Sequence, residues 1–253
     1  MSDAEEREDL ETKGDRNVIL IVDNYPWGFP TDRITRLETI VGESIADVEC
    51  KTVHYTQFSK ERMEDVIGVI LSGSNLNCSD FYHNDRLLKR YQPQLDLIQE
   101  ADDLPILGVC FGFHLVAYAH DVQISRMRIP SLGGRIIFIL LNETDDLITK
   151  KNLPVNAHHR DFISPNDVNI IENFDILSTY HTKRYQMVEY MKHKDKSVYA
   201  TQFHPETHGP NYFHPSLFDE RISANARMVG EEIIHNFIWL CVYKKKESEK
   251  ILA

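Results

Sequence analysis

Three short segments carry residue types that could do covalent chemistry. The first is Gly108-Val-Cys110-Phe-Gly112, where an apolar run, Pro105 to Val109, ends at a cysteine flanked by glycines and passes straight into a helix-period segment. A nucleophile on such a strand-to-helix turn needs small neighbours, because the backbone is strained and packs close to adjacent strands. The turn sets the thiol at a helix N-terminus, where the dipole favours thiolate, and it places the N–H of Phe111 to stabilise an oxyanion. Taken alone, the pentapeptide fits a buried structural cysteine equally well. The second segment is Val198-Tyr-Ala-Thr-Gln-Phe203, a strand that leads into His204-Pro205-Glu206. Positions two apart on extended chain point the same way, so Glu206 can orient the His204 imidazole. An imidazole serves a thiol first as base and then as acid. His204 alone would also fit a surface loop; together with the cysteine turn upstream, the base reading is favoured. The third segment is Leu71-Ser72-Gly73-Ser74, which ends another apolar run and can offer a second backbone N–H to an oxyanion, although most such turns are only turns.

These segments need elements to position them, and open parallel sheets bind ligands beyond the carboxyl ends of their strands. Apolar runs at Val18 to Asp23, Val48 to His54, Val66 to Leu71 and Pro105 to Val109 alternate with helix-period stretches. Those stretches lie at Ile34 to Ile45, Asp85 to Ala101 and Phe111 to Ala119. The alternation predicts an α/β fold, a largely parallel central sheet with helices on both faces. Further strand-like runs follow at Arg135 to Leu141, Phe174 to Thr179, Met187 to Met191 and Val198 to Phe203, several of them expected to pair antiparallel. An amphipathic helix, Ala224 to Tyr243, closes the pattern. One domain is expected over residues 16–243. Before it, residues 1–15 carry seven acidic and two basic side chains and read as a disordered acidic tail. After it, residues 244–253 read as a charged, frayed tail.

Composition narrows the function classes. The 253 residues carry 28 Lys+Arg against 39 Asp+Glu, a net charge of −11, which argues against a nucleic-acid partner because phosphate neutralisation needs a basic face. The longest aliphatic and aromatic run, Ile136 to Leu141, is far short of the ~20 residues that span a bilayer, so no membrane role is expected. Cys50, Cys78, Cys110 and Cys241 are scattered with no CxxC pair, the usage of a reducing compartment, and a cytoplasmic location follows as the expectation. Cys50, Cys78 and Cys241 are expected to be inert. His120, at the end of the segment after Cys110, is expected to face a helix C-terminus. His204, His208 and His214, with His158 and His159 on another loop, match no metal-ligand spacing, so neither metal nor organic cofactor is expected.

The three segments together resemble the class I (triad) glutamine amidotransferases, whose pattern is a glycine turn after one strand, G-x-C-x-G-x-Q at the elbow, and a late strand ending Q-F-H-P-E. Gln202-Phe-His204-Pro-Glu206 matches in full and in order, and the resemblance covers residues 17–240. It implies a flavodoxin-like fold, a Cys110–His204–Glu206 triad, and an oxyanion hole from Phe111 with Gly73 or Ser74. It further implies thiolate attack on the γ-carboxamide of glutamine, a γ-glutamyl thioester, loss of ammonia and release of glutamate by water. Asn156-Ala-His158-His159 stands where relatives often carry a Ser-His pair, which implies His159 at the substrate.

Two departures from the family pattern bear on substrate. Where the family has the elbow glutamine that helps hold the substrate, this chain has His114, read either as recognition of a related γ-glutamyl compound or as a tolerated swap. Ser72-Gly-Ser-Asn replaces the Ser-Gly-Gly-Pro of synthetase-linked members; with Asp80-Phe-Tyr-His-Asn-Asp85 it looks more like stand-alone relatives, γ-glutamyl peptidases included. One such domain uses up the chain, so ammonia would pass to a separate synthetase subunit, or the substrate is simply hydrolysed. The rival readings are a γ-glutamyl peptidase or hydrolase with the same triad, and a non-catalytic regulatory subunit that kept the fold. The segment Thr207 to Asp219 reads as a lid, a partner contact or an ordinary packed loop.

Overall fold

Runs of Val, Ile and Leu without polar interruption are suited to strands covered on both faces, and here they form the middle of a seven-stranded sheet. The structure, a computed structural model, describes residues 17–27, 32–60, 63, 65–128, 134–207 and 219–252. In chain order the elements are β1 (Asn17–Asp23), α1 (Asp32–Ser44), β2 (Val48–His54), β3 (Val66–Leu71), α2 (Asp85–Glu100), β4 (Ile106–Val109) and α3 (Phe111–Tyr118). They continue as β5 (Ile124–Arg126), β6 (Arg135–Leu140), β7 (Asn152–Ala157), β8 (Asp161–Ile163), α4 (Val168–Asn173), β9 (Phe174–His181), β10 (Gln186–His193), β11 (Val198–Thr201) and α5 (Glu220–Leu252). A 3₁₀ turn, Cys78–His83, precedes α2.

The sheet order is β2-β1-β3-β4-β11-β10-β9. The first five strands run parallel, with Val69 beside Ile106 and Ala200 beside Gly108; β10 and β9 complete the edge antiparallel. This is the mostly parallel α/β architecture expected from the alternation. Each sheet face has its own apolar layer. On one, Ile34, Leu37 and Ile40 of α1 and Ile233, Phe237 and Cys241 of α5 cover β1 and β3; on the other, Tyr91 and Ile98 of α2 and Phe111, Phe113 and Leu115 of α3 cover the same strands from behind. An Arg36–Glu231 ion pair joins α1 to α5.

The differences from expectation have local causes. β6 and its partner β7 form a separate two-stranded sheet, and β7 is illegible because Pro154 and two asparagines interrupt its pattern. β5 and β8 pair over three residues each, too few for a periodicity. Helix α4 is six residues long and depends on its cap, the Asp167 carboxylate accepting from the N–H groups of Asn169 and Ile170. The charged tail expected over residues 244–253 is a correction: α5 continues to Leu252, carried by the contact of Tyr243 with Glu247 at 2.7 Å and of Lys245 with Glu249 at 3.7 Å, one turn apart. The acidic segment 1–15 lies outside the described residues.

Gly68 sets how closely α5 approaches the sheet. A Cβ there would lie 2.3 Å from the Cys241 Sγ, so the glycine makes room for the helix. Gly68→Ala is expected to cost about 1–3 kcal/mol of unfolding free energy, the usual range for overpacking. A second change, Cys241→Ala, should return part of that loss; chemical denaturation of the two single variants and the double variant checks the coupling.

Candidate active site

Cys110 stands between β4 and α3 with φ 52° and ψ −94°. A side-chain-bearing residue at positive φ costs on the order of 1–3 kcal/mol and is held only by its surroundings. The surroundings here are two glycines without room for a methyl group. A Cβ on Gly108 would meet the Gly112 carbonyl oxygen at 2.6 Å, and one on Gly112 would meet the Leu71 carbonyl oxygen at 2.2 Å. The Cys110 N–H donates to the Thr201 carbonyl at 2.8 Å, and the Gly112 N–H donates to the Ser72 carbonyl at 3.2 Å. The cysteine turn is thereby tied to β11 on one side and to the glycine turn after β3 on the other.

That second turn is pinned by Asn24 at the end of β1. The Asn24 N–H donates to Ser72 Oγ at 2.9 Å, its amide nitrogen donates to the Ser72 carbonyl at 3.1 Å, and Ser74 Oγ donates to the Asn24 carbonyl at 2.7 Å. Ser74 and Phe111 line the same pocket as Cys110. Gly73 sits behind them against the imidazole of His204: a Cβ at Gly73 would come 2.9 Å from His204 Cε1. As the first residue of α3, Phe111 has an N–H with no acceptor inside its own helix.

His204 follows β11, and its N–H donates to the Asn156 carbonyl at the end of β7, at 2.9 Å. Its Nδ1 lies 2.7 Å from Glu206 Oε1, the pairing anticipated from their spacing, and both side chains are buried. Burial and the Arg33 charge push the His204 imidazole down, but Cys110 and Glu206 push it further the other way, and the balance lies at about 9. At neutral pH the imidazole is therefore cationic. The Cys110 Sγ itself lies 3.8 Å from the His158 carbonyl.

Arg33, in the first turn of α1, is a member of the site that the sequence did not reveal. Its Nη1 lies 3.4 Å from Nδ1 and 3.2 Å from Nε2 of His204. A nitrogen so nearly equidistant from both ring nitrogens lies over the ring face rather than on a lone pair. The same Nη1 donates to Tyr25 Oη at 3.0 Å, and Nη2 donates to His158 Nδ1 at 3.1 Å. Burial and the Arg33 charge hold His158 down at about 4, so it is a neutral acceptor.

Cys110, Phe111, Ser74, Arg33, His114 and His159 share one pocket of about 460 Å³. His114 is buried one helical turn after Cys110, faces Gln202 and Asp161, and is pushed by burial down to about 4. His159 is also buried; its Nδ1–H donates to the Asp161 carbonyl at 2.8 Å and its Nε2 points at Glu189, 3.8 Å away. Burial holds His159 down at about 3 and raises the Glu189 carboxyl to about 8. Neither Glu189 oxygen has a hydrogen-bond partner among the described residues. Burial thus keeps both imidazoles and the Glu189 carboxyl neutral at neutral pH, while Asp161 accepts from Ser79 and Arg126.

Other expectations fall where the residues stand. Burial pushes the thiols of Cys78 and Cys241 well up and that of Cys50 to about 12, the behaviour of inert cysteines. His120 Nδ1–H donates to the Val116 carbonyl at 2.9 Å, at the C-terminal end of α3. His208, His214 and the aromatic residues Tyr212, Phe213 and Phe218 lie outside the described residues. Among the described residues no group of three or more His, Cys, Asp or Glu is placed to hold a metal ion, and no helix is long and apolar enough to cross a membrane.

A cysteine at a strained strand-to-helix turn beside a buried His–Glu pair, on a mostly parallel sheet, defines a class of α/β proteins, and comparison with known proteins makes the class specific. Residues 39–223 match the family model for glutamine amidotransferase class-I. The chain belongs to that family. It is 30% identical over 193 residues to one subunit of the glutamine-hydrolysing GMP synthase of Methanocaldococcus jannaschii, covering 73% of this chain and 79% of the relative. It is also 30% identical over 191 residues to the corresponding GMP synthase subunit of Methanococcus aeolicus, covering 72% and 77%. Among solved structures, a GMP synthase subunit protein from Thermoplasma acidophilum superposes with a TM-score of 0.67 at 23% identity, covering 92% of this chain and 97% of that one. A glutamine amidotransferase from Thermotoga maritima gives 0.62 at 14% identity, covering 90% and 98%. These two show the shared fold. Tyr25 and Arg33 precede the residues that the family model matches.

The titration of His204 is directly measurable. Its imidazole should titrate near pH 9 by NMR, and Glu206→Gln and Cys110→Ala should each lower that midpoint, since both partners raise it. The sign for stability follows. The raised histidine contributes stability fully below about pH 6.5, its unfolded value, and loses it as pH rises through about 9. An unshifted midpoint in both variants would contradict the electrostatic coupling.

Proposed function

We propose that the chain is a cysteine hydrolase acting on the γ-carboxamide of glutamine or a closely related γ-glutamyl compound. The observation that carries this reading is Cys110 at positive φ, at the head of α3, sharing one buried site with the 2.7 Å His204–Glu206 pair. The Cys110 sulfur attacks the γ-carbonyl carbon, and the developing oxyanion takes hydrogen bonds from the N–H of Phe111 and of Gly73 or Ser74. The C–N bond then breaks as His204 gives its proton to the leaving nitrogen, which leaves a γ-glutamyl thioester. His204 takes a proton from water, hydroxide adds to the thioester carbonyl, and the C–S bond breaks to release glutamate. Glu206 keeps the imidazole oriented and offsets its positive charge. His114 and His159, both neutral, face the glutamyl end of the substrate as hydrogen-bonding groups.

A second reading concerns where the nitrogen goes. The relatives from Methanocaldococcus jannaschii and Methanococcus aeolicus are each named as one subunit of a GMP synthase, which favours a separate synthetase subunit that accepts ammonia from this chain. Under this reading the isolated chain is slow and accelerates when the partner is present. Neither reading calls for a metal or an organic cofactor, and the chemistry proceeds in cytoplasmic conditions that keep Cys110 reduced.

The test is release of ammonia and glutamate from glutamine, and of glutamate from γ-glutamyl dipeptides, by the wild type and by Cys110→Ala. Turnover should fall to background in the variant; turnover that survives it would exclude Cys110 as the nucleophile. A glutamine-like electrophile should label Cys110 in the wild type, and complete absence of labelling would favour a non-catalytic subunit. His114→Gln should raise activity on glutamine relative to γ-glutamyl dipeptides if His114 sets specificity, whereas unchanged kinetics would make it a tolerated swap.

A further inference from the structure

Arg33 lies on the side of the site from which a leaving group departs. To be protonated, the leaving nitrogen must reach His204 Nε2, and Arg33 Nη1 is 3.2 Å from that atom. Whatever is bonded to the leaving nitrogen therefore passes beside the guanidinium. The neighbouring wall is equally polar: Tyr25 Oη accepts from Nη1 at 3.0 Å, and His158 Nδ1 accepts from Nη2 at 3.1 Å. The His158 carbonyl in turn lies 3.8 Å from the Cys110 sulfur, so cation and nucleophile border one space. The pocket of about 460 Å³ is lined by His114 and His159 as well as by Tyr25, Arg33 and His158, so one space runs from the side of His114 past Cys110 to the guanidinium.

We infer that Arg33 is a specificity-determining residue that binds the α-carboxylate of an amino-acid leaving group, so that the preferred substrate is a γ-glutamyl-α-amino acid. The inference rests on the Cys110 thioester reading and names the substrate class within it. In an amino-acid leaving group the carboxylate carbon is two bonds from the departing nitrogen, which brings its oxygens to the guanidinium while the nitrogen is at His204. A guanidinium matches a carboxylate in charge, and partial burial strengthens the pairing. The bond changes are those of the thioester pathway. The S–C bond forms, the C–N bond breaks, the amino acid leaves with the proton from His204, and water returns the enzyme to the thiol. Arg33 comes from the first turn of α1 and His158 from the loop after β7, so two separate parts of the chain build this wall beside Cys110.

The test compares γ-glutamyl-alanine with γ-glutamyl-ethylamide, whose leaving amine has the same two-carbon chain without the carboxylate. The wild type should favour the alanine compound in kcat/KM by at least about tenfold, an amount that one good charge-assisted contact readily supplies. Arg33→Ala should reduce that ratio towards one, and Arg33→Lys should retain part of it. Equal kcat/KM for the two compounds in the wild type would overturn the inference, whether or not the variants fold. An undiminished ratio in a folded Arg33→Ala variant would overturn it as well, and would leave Arg33 acting only through His204. Failure of the inference is distinguishable from failure of the thioester reading. In the first case the wild type turns over glutamine or the ethylamide with no preference for the carboxylate; in the second it turns over neither compound nor glutamine, and Cys110 resists 6-diazo-5-oxo-L-norleucine, which overturns both.

Discussion

The site depends on how closely three backbones can approach at the head of α3. Gly112 lies against the Leu71 carbonyl and Gly108 against the Gly112 carbonyl, with no room for a methyl group at either place. That approach holds Cys110 at a positive φ that its side chain would otherwise avoid, and the hydrogen bond from the Gly112 N–H to the Ser72 carbonyl ties the two turns into one unit. Aromatic packing supports the arrangement from below. The Phe111 ring lies 5.1 Å from that of Tyr91 and 6.1 Å, edge-on, from that of Phe81, so the first turn of the helix is wedged against α2 and the 3₁₀ turn. The placement of Cys110 is a property of the glycines and this aromatic wall, not of the cysteine.

The pocket has two electrostatic halves. Around His204 the groups are charged and mutually compensating: Glu206 and Arg33 both contact the imidazole, and the imidazole and carboxylate are buried. Around His159 burial keeps two imidazoles and the Glu189 carboxyl neutral. The His204–Glu206 pair thus sits beside a cation, whereas the two buried imidazoles on the other side offer neutral hydrogen-bonding groups. The separation follows from the elements. Arg33 and the His204–Glu206 pair come from α1 and the loop after β11, the neutral His114, His159 and Glu189 from α3, the loop after β7 and β10, and the Asp161–Arg126 ion pair from β8 and β5.

What was legible in the sequence follows from which interactions are local. The parallel strands read clearly because continuous Val and Ile runs suit burial on both faces, and His204–Glu206 read clearly because two-residue spacing alone sets their contact. Arg33 was illegible: it lies 171 residues from His204, on a helix whose pattern marks it only as a polar position beside the buried Ile34. Glu189 was hidden for another reason. It sits at a register shift in β10 that turns a charged residue inward, against the alternation of its strand. The short strands β5 and β8 were hidden because three residues show no period, and the length of α5 because a run of lysines and glutamates looks like a tail unless its one-turn spacing is counted.

The position of β11 has a consequence for how the protein is made. This strand lies between β4 and β10, parallel to one and antiparallel to the other, although 88 residues separate its start from the end of β4. The sheet can close only when the chain has been synthesised past Thr201, and such long-range parallel pairings form slowly. Until then Cys110 has neither the Thr201 carbonyl that fixes its backbone nor the His204–Glu206 pair beside it. In a nascent chain the cysteine turn is thus complete before the strand that fixes it has been made.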